Sequence, residues 1–112
     1  MAEQHSGQWS AKLSQLGIAL PPVAAPVAAY VPAVRTGSHV HTSGQLPFVD
    51  GALPRTGKVG AEVDLATARG EARICVLQGL ACLEAELGSL DRVTRILKVN
   101  GYVASASGFN AQ

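Results

Sequence analysis

Residues 65–87 carry the strongest folding instruction in the chain. Leu65, Ala68, Ala72, Val76, Leu80, Leu83 and Leu87 recur at three- and four-residue intervals, the spacing that lines one face of an α-helix. Asp64 stands where a carboxylate caps a first turn, and Gly88 where a left-handed residue ends a last one. The pattern predicts a helix of roughly six turns, with Arg69, Arg73, Glu84 and Glu86 on its polar side. Gly70 and Gly79 interrupt it with small residues that permit close packing. A helix with one apolar face must bury that face against a second layer, so the remaining segments have to supply a sheet.

Two segments read as that sheet. Tyr30 to Arg35 and His39 to Ser43 are rich in strand formers and are separated by Thr36, Gly37 and Ser38, a hairpin signal. A turn at Thr36-Gly37 sets Val34 opposite His39 and Tyr30 opposite Ser43. A type II′ turn at Gly37-Ser38 sets Ser43 opposite Pro32, diagonal to Tyr30. Either register leaves Tyr30, His39, His41 and Ser43 on one face, because side chains alternate with period two. Arg92 to Ala104 also alternates: Val93, Arg95, Leu97, Val99, Gly101 and Val103 share one side, Thr94, Ile96, Lys98, Asn100 and Tyr102 the other. This predicts a further strand, one side packed on the long helix and the other facing water, ligand or another subunit. Asp50-Gly51 marks a turn after Phe48-Val49, and Pro54 to Gly60 a loop. The expected architecture is a two-layer α+β domain, a sheet of three or four strands under one long helix.

The N-terminal part is of different character. Ser6 is placed to cap a short helix with Trp9, Leu13 and Leu16 on its apolar side, ended by Gly17. The Pro/Ala run from Leu20 to Ala29 reads as an extended linker. Residues 1–29 are thus a helix and linker leading into a core at 30–112, within one domain. The uncharged stretch Ile18 to Val34 contains Pro21, Pro22, Pro26 and Pro32, which a spanning helix would not carry, and the residues before it make a poor basic region for a secretion signal. Cys75 and Cys82 would lie about 10 Å apart along a helix, beyond disulfide reach. Two unpaired thiols fit a reducing compartment, and a cytoplasmic protein is expected.

Composition narrows the function classes. Among 112 residues, 47% are hydrophobic and only 4% aromatic, 15% are charged, and the formal net charge is +1. An Ala/Val/Leu/Ile core follows, and so few charges suggest surface reserved for other subunits. Near-neutrality gives no electrostatic drive toward nucleic acid or an anionic membrane. His39 and His41 are two ligands, one short of the commonest catalytic zinc set, and read structurally as surface or interface histidines. No nucleophile elbow, phosphate-binding loop or dinucleotide fingerprint is present. Ser43, at a strand end before Gly44, reads by itself as a turn-forming hydroxyl.

The segment His41-Thr42-Ser43-Gly44-Gln45-Leu46-Pro47 resembles the "TSGQxP" signature of the RidA family, also called YjgF or L-PSP endoribonuclease-like. Tyr30 precedes Ser43 by the family's spacing. Thr56-Gly57-Lys58-Val59 resembles its "TG-x-(I/V)" loop, and Ala68-Arg69 begins a similar helix. Leu90-Asp91-Arg92-Val93 and the run to Phe109 resemble its "L-x-D-V-x-K…V-x-V…D-F" stretch. The N-terminal helix with Leu16-Gly17-Ile18 and Leu20-Pro21-Pro22 is similar to a longer-chain subgroup. The resemblance covers nearly the whole chain.

What the resemblance implies is specific. The fold would be a chorismate-mutase-like two-layer sandwich, a mixed or antiparallel sheet with helices on one face. Three copies would pack their sheets inward as a homotrimer with ligand clefts between neighbours. The activity would be hydrolysis of 2-imino or enamine acids to 2-oxo acids and ammonia, with no cofactor or metal. Tyr30 and Ser43 would be the catalytic positions, and Gly44 and Gln45 would bind substrate. A non-catalytic metabolite-binding or regulatory trimer is the second expectation and endoribonuclease activity the third. The family's carboxylate-binding arginine, an acidic residue and a site asparagine would fall past Gln112, along with a second helix and last strands. The chain is therefore expected to lack the family's C-terminal part.

Overall fold

The computed structural model describes residues 8–24 and 28–112. The elements in chain order are α1 (Trp9–Gln15), β1 (Ala33–Thr36), β2 (His39–Thr42) and α2 (Leu65–Leu87), followed by a 3-10 turn at Leu90–Arg92. It is a small α+β fold whose one sheet is the antiparallel hairpin β1–β2.

Asp64 and Gly88 act as the sequence indicates. The Asp64 carboxylate accepts the Thr67 backbone N–H at 2.8 Å, and Gly88 takes φ 82 while its N–H bonds Glu84 O. The expected face of α2 is half-buried at Leu65, Ala68, Leu80, Leu83 and Leu87 but not at its middle. Ala72 is exposed and Val76 is 57% exposed, whereas Gln78, Ala81 and Cys82 are buried. The buried line runs through Ile74, Cys75, Gln78, Ala81 and Cys82. Two apolar lines run along this helix, and the hairpin and the loop after it pack on the second. Periodicity found a helix but could not choose between its faces.

The hairpin resolves the register. Thr36 pairs with His39 and Ala33 with Thr42, so Gly37-Ser38 is the two-residue turn. Gly37 has φ 58 while Ser38 is not in the positive-φ region, which is the type II′ pattern. The Ser43 N–H donates to Pro32 O at 2.8 Å, extending the ladder one step beyond β2. Ala33 and Val40 are half-buried while Val34, His39 and His41 are exposed. The first pair marks the face against α2, and the second set the face away from it.

The strand expected from Arg92 to Ala104 does not form among the described residues, and the sheet has two strands rather than three or four. Arg92 closes the 3-10 turn instead. Leu97, Val99 and Tyr102 are 66%, 77% and 91% exposed, so neither side of the segment packs. Alternation makes a segment competent for a ladder, but pairing needs a neighbour with free N–H and C=O groups. Chain order resumes at residue 104, where Val59 N–H donates to Ala104 O and Ala106 N–H to Val59 O, at 2.8 and 2.9 Å. Phe109 lies against Gly60, whose φ of 94 and lack of Cβ make that approach possible. The unpacked segment is in keeping with a radius of gyration of 15.5 Å, against roughly 13 Å for a compact domain of this length.

The N-terminal helix is anchored by two long-range bonds. Trp9 Nε1 donates to Val93 O, and the Ser10 N–H donates to Asp91 Oδ1 at 2.8 Å. Gly17 at φ 70 ends α1 as expected. The expected cap Ser6 lies outside the described residues, and Gln8 occupies the cap position without a side-chain cap hydrogen bond. No helix among the described residues is long and apolar enough to cross a membrane.

The Asp64 cap generates a pH test. Its hydrogen bonds to Thr67 hold the carboxyl below its ordinary value. The stabilisation it contributes is therefore present above the unfolded carboxylate range and is lost as pH falls through the lower folded value. Thermal melts of Asp64→Asn should show a retained cap but a flatter acid limb than the parent. Asp64→Ala should lower Tm at neutral pH, where the parent cap is charged.

Candidate functional site

The segment leaving β2 builds a recess that gathers the sequence-predicted residues. Tyr30, Ser43, Gly44 and Gln45 line it together with Ala24, Leu46 and Phe48, around a cavity of about 20 Å³, room for one water. Tyr30 lies three residues before β1 and Ser43 one residue after β2, so both stand just outside the strands that were expected to hold them. The Ser43 N–H bond to Pro32 O brings Ser43 beside the segment that follows Tyr30.

Gln45 organises this corner. Its Nε2 donates to Ser43 O at 3.2 Å, to Ser43 Oγ at 3.3 Å and to Cys82 Sγ at 3.6 Å. It thereby ties the serine hydroxyl to the buried middle of α2. A second tie lies one turn back on the helix, where Gln78 Nε2 donates to Phe48 O at 3.0 Å. Gln78 is 4% exposed, and its Oε1 is buried without a hydrogen-bond partner. The sequence reading passed over Gln78, although an uncharged amide amid the apolar run Ile74–Leu83 was the available signal. Cys82, expected as an unpaired thiol, is free and buried. Burial pushes its thiol up, as burial and then the neighbouring Glu71 do for Cys75, so both thiols stay protonated and poorly nucleophilic at neutral pH.

The recess contains no charge. Arg35 belongs to the opposite side of β1 and donates through Nε to Gly37 O at 3.0 Å. Arg55 pairs with Glu71, Arg92 donates to Leu87 O, and Arg69 and Arg73 are exposed on α2. The backbone N–H groups of Gly44 and Gln45 make no hydrogen bond among the described residues. Two free amides beside a serine hydroxyl form a neutral donor set suited to a carboxylate or a polarised carbonyl-type group. His39 and His41 are exposed on the sheet face, and no group of three metal-binding side chains occurs among the described residues.

Residues 10–108 match the family described as "YjgF/chorismate mutase-like, putative endoribonuclease". The chain belongs to this family. Protein TCP17 of Trypanosoma cruzi is 43% identical over 107 residues, covering 96% of this chain and 67% of that protein. The Agrobacterium tumefaciens protein Atu1372 has the same fold with a TM-score of 0.77 at 39% identity, over 91% of this chain and 61% of that one. A Shewanella oneidensis protein called a "putative endoribonuclease" gives a TM-score of 0.68 at 34% identity, over 74% and 55% of the two chains. The chain thus spans just over half to two thirds of these relatives' lengths.

Replacing Gln78 tests how the recess is held. In Gln78→Glu the buried carboxylate would face the Phe48 carbonyl, at a cost of roughly 3 kcal/mol or more at neutral pH. Its folded pKa would be raised, so the lost stability should return as pH falls toward the unfolded carboxylate value near 4. Urea melts across that range check the sign.

Proposed function

We propose that the protein serves the hydrolysis of 2-imino and enamine acids to 2-oxo acids and ammonia, as a homotrimer with its recesses at clefts between copies. The observation that carries this reading is the neutral donor set of Ser43 Oγ and the free Gly44 and Gln45 amides around a one-water recess. Water adds to the imine carbon, the nitrogen takes up the proton, and the carbon–nitrogen bond breaks to leave a carbonyl and ammonia. Such a reaction needs oriented donors and a positioned water rather than a covalent intermediate. In this scheme Ser43 and the Gly44 amide orient the carboxylate, Gln45 holds the Ser43 hydroxyl, and the Tyr30 hydroxyl contacts substrate or its water.

The family description and the Shewanella relative both name endoribonuclease activity. A recess without a cation and a formal net charge of +1 weigh against an RNA backbone, whose binding rests on many Lys and Arg contacts. A carboxylate is best gripped by a bidentate arginine, and none lines this recess, so that anchor must come from outside it. Its absence would cost about 3–5 kcal/mol, or two to four orders of magnitude in efficiency.

The test is ammonia release from 2-aminoacrylate generated in situ. Residues 1–112 alone should run near the uncatalysed rate. A longer form adding the family's arginine-bearing segment should exceed it, and Ser43→Ala or Tyr30→Phe in that form should lower kcat/KM by about tenfold or more. Equal rates above background from both forms would remove the need for an outside anchor. RNA cleavage without ammonia release would overturn the reaction itself, and a stable monomer in light scattering would overturn the trimer.

A further inference from the structure

His39 and His41 stand on β2 with Val40 between them, outside the recess. The ladder sets Thr36 opposite His39 and Val34 opposite His41, so these four side chains share the sheet face directed away from α2. All four are exposed. Neither imidazole has a hydrogen-bond or ionic partner among the described residues. Both histidines and the ladder that aims them lie within residues 33–42, so their placement is local to the hairpin.

Residues two apart on one strand face start about 7 Å from each other at Cα. Two imidazoles at that spacing can converge on one ion, each ring presenting a nitrogen at about 2 Å. A spacing of one or three would put the rings on opposite faces. The donors set the class of ion: neutral imidazole suits zinc, copper and nickel, whereas magnesium and calcium take oxygen ligands. On this face the hairpin carries no carboxylate to pair with the rings and no cation to repel a metal, since Arg35 lies on the opposite side of β1 and donates to Gly37 O at 3.0 Å. The ladder also holds both side-chain stems in place, which lowers the ordering cost of chelation relative to a flexible segment.

We propose that His39 and His41 form a bidentate site for a divalent transition metal of the zinc, copper and nickel class. Its remaining positions are open to water, or to a second copy where sheets pack face to face. The inference is independent of the recess chemistry, and no step of the proposed hydrolysis passes through the metal.

The experiment is calorimetric titration of the protein with zinc, copper(II) and magnesium chlorides in a non-chelating buffer near pH 7.5. Zinc and copper should each bind at one ion per chain, copper the more tightly, and magnesium should not bind. His39→Ala and His41→Ala should each weaken zinc binding by about tenfold or more, because either leaves a single donor in place of a chelate. His5→Ala, which removes the chain's third histidine, and Cys75→Ser should leave it unchanged. Val34→His places a third imidazole directly opposite His41 and should tighten zinc binding by about tenfold or more. Positions 34, 39 and 41 are exposed, so Tm without metal should stay at the parent value in all three variants. In NMR spectra, zinc should shift the ring signals of His39 and His41 and leave those of His5 in place. Binding only above about 1 mM, equal affinity in either alanine variant, no gain in Val34→His, or loss of binding in His5→Ala or Cys75→Ser would each overturn the proposal.

Discussion

The amide of Gln78 is the polar group on which the arrangement of the recess depends. It is the one polar side chain buried among the described residues, and its bond to Phe48 O fixes the end of the loop that begins at Ser43. One turn along the same helix, Cys82 receives the Gln45 amide and holds the loop's other end. A loop leaving a four-residue strand has few backbone partners of its own. Two side-chain bonds from a rigid helix decide where its serine and free amides stand. The unpartnered Gln78 Oε1 shows that this attachment has an energetic cost, since a buried acceptor without a donor forfeits its hydration.

Around that attachment the apolar core is small. Val59, Val63, Ala81, Cys82 and Leu90 are its buried members among the described residues. The clasp between Val59 and residues 104–106 brings the end of the chain back to the start of α2. Between these fixed points the chain presents apolar surface, on the Val76 side of α2 and along residues 94–102. An apolar composition with few charges is what such a surface requires of the sequence, and it accords with the association proposed for the protein.

The recess concentrates donors without charge beside α2, in a volume suited to one water. Family membership bears on it through Tyr30, Ser43, Gly44 and Gln45, which the fold brings to one place.

Local chemistry was legible in the sequence. Asp64 and Gly88 bound α2 at the residues their side chains predict, because a cap bond and a left-handed glycine act within a few residues of themselves. Gly37-Ser38 was one of two allowed turns, and the structure takes it. The family signature around Ser43 likewise needs no tertiary information. Tertiary structure decided what depends on partners distant in the chain. It buried Gln78, Ala81 and Cys82 most deeply and left Ala72 and Val76 exposed, a choice that packing makes and periodicity does not. Among the described residues it left 94–102 without backbone hydrogen bonds, because alternation states that a segment can join a ladder while the ladder itself requires a neighbouring backbone.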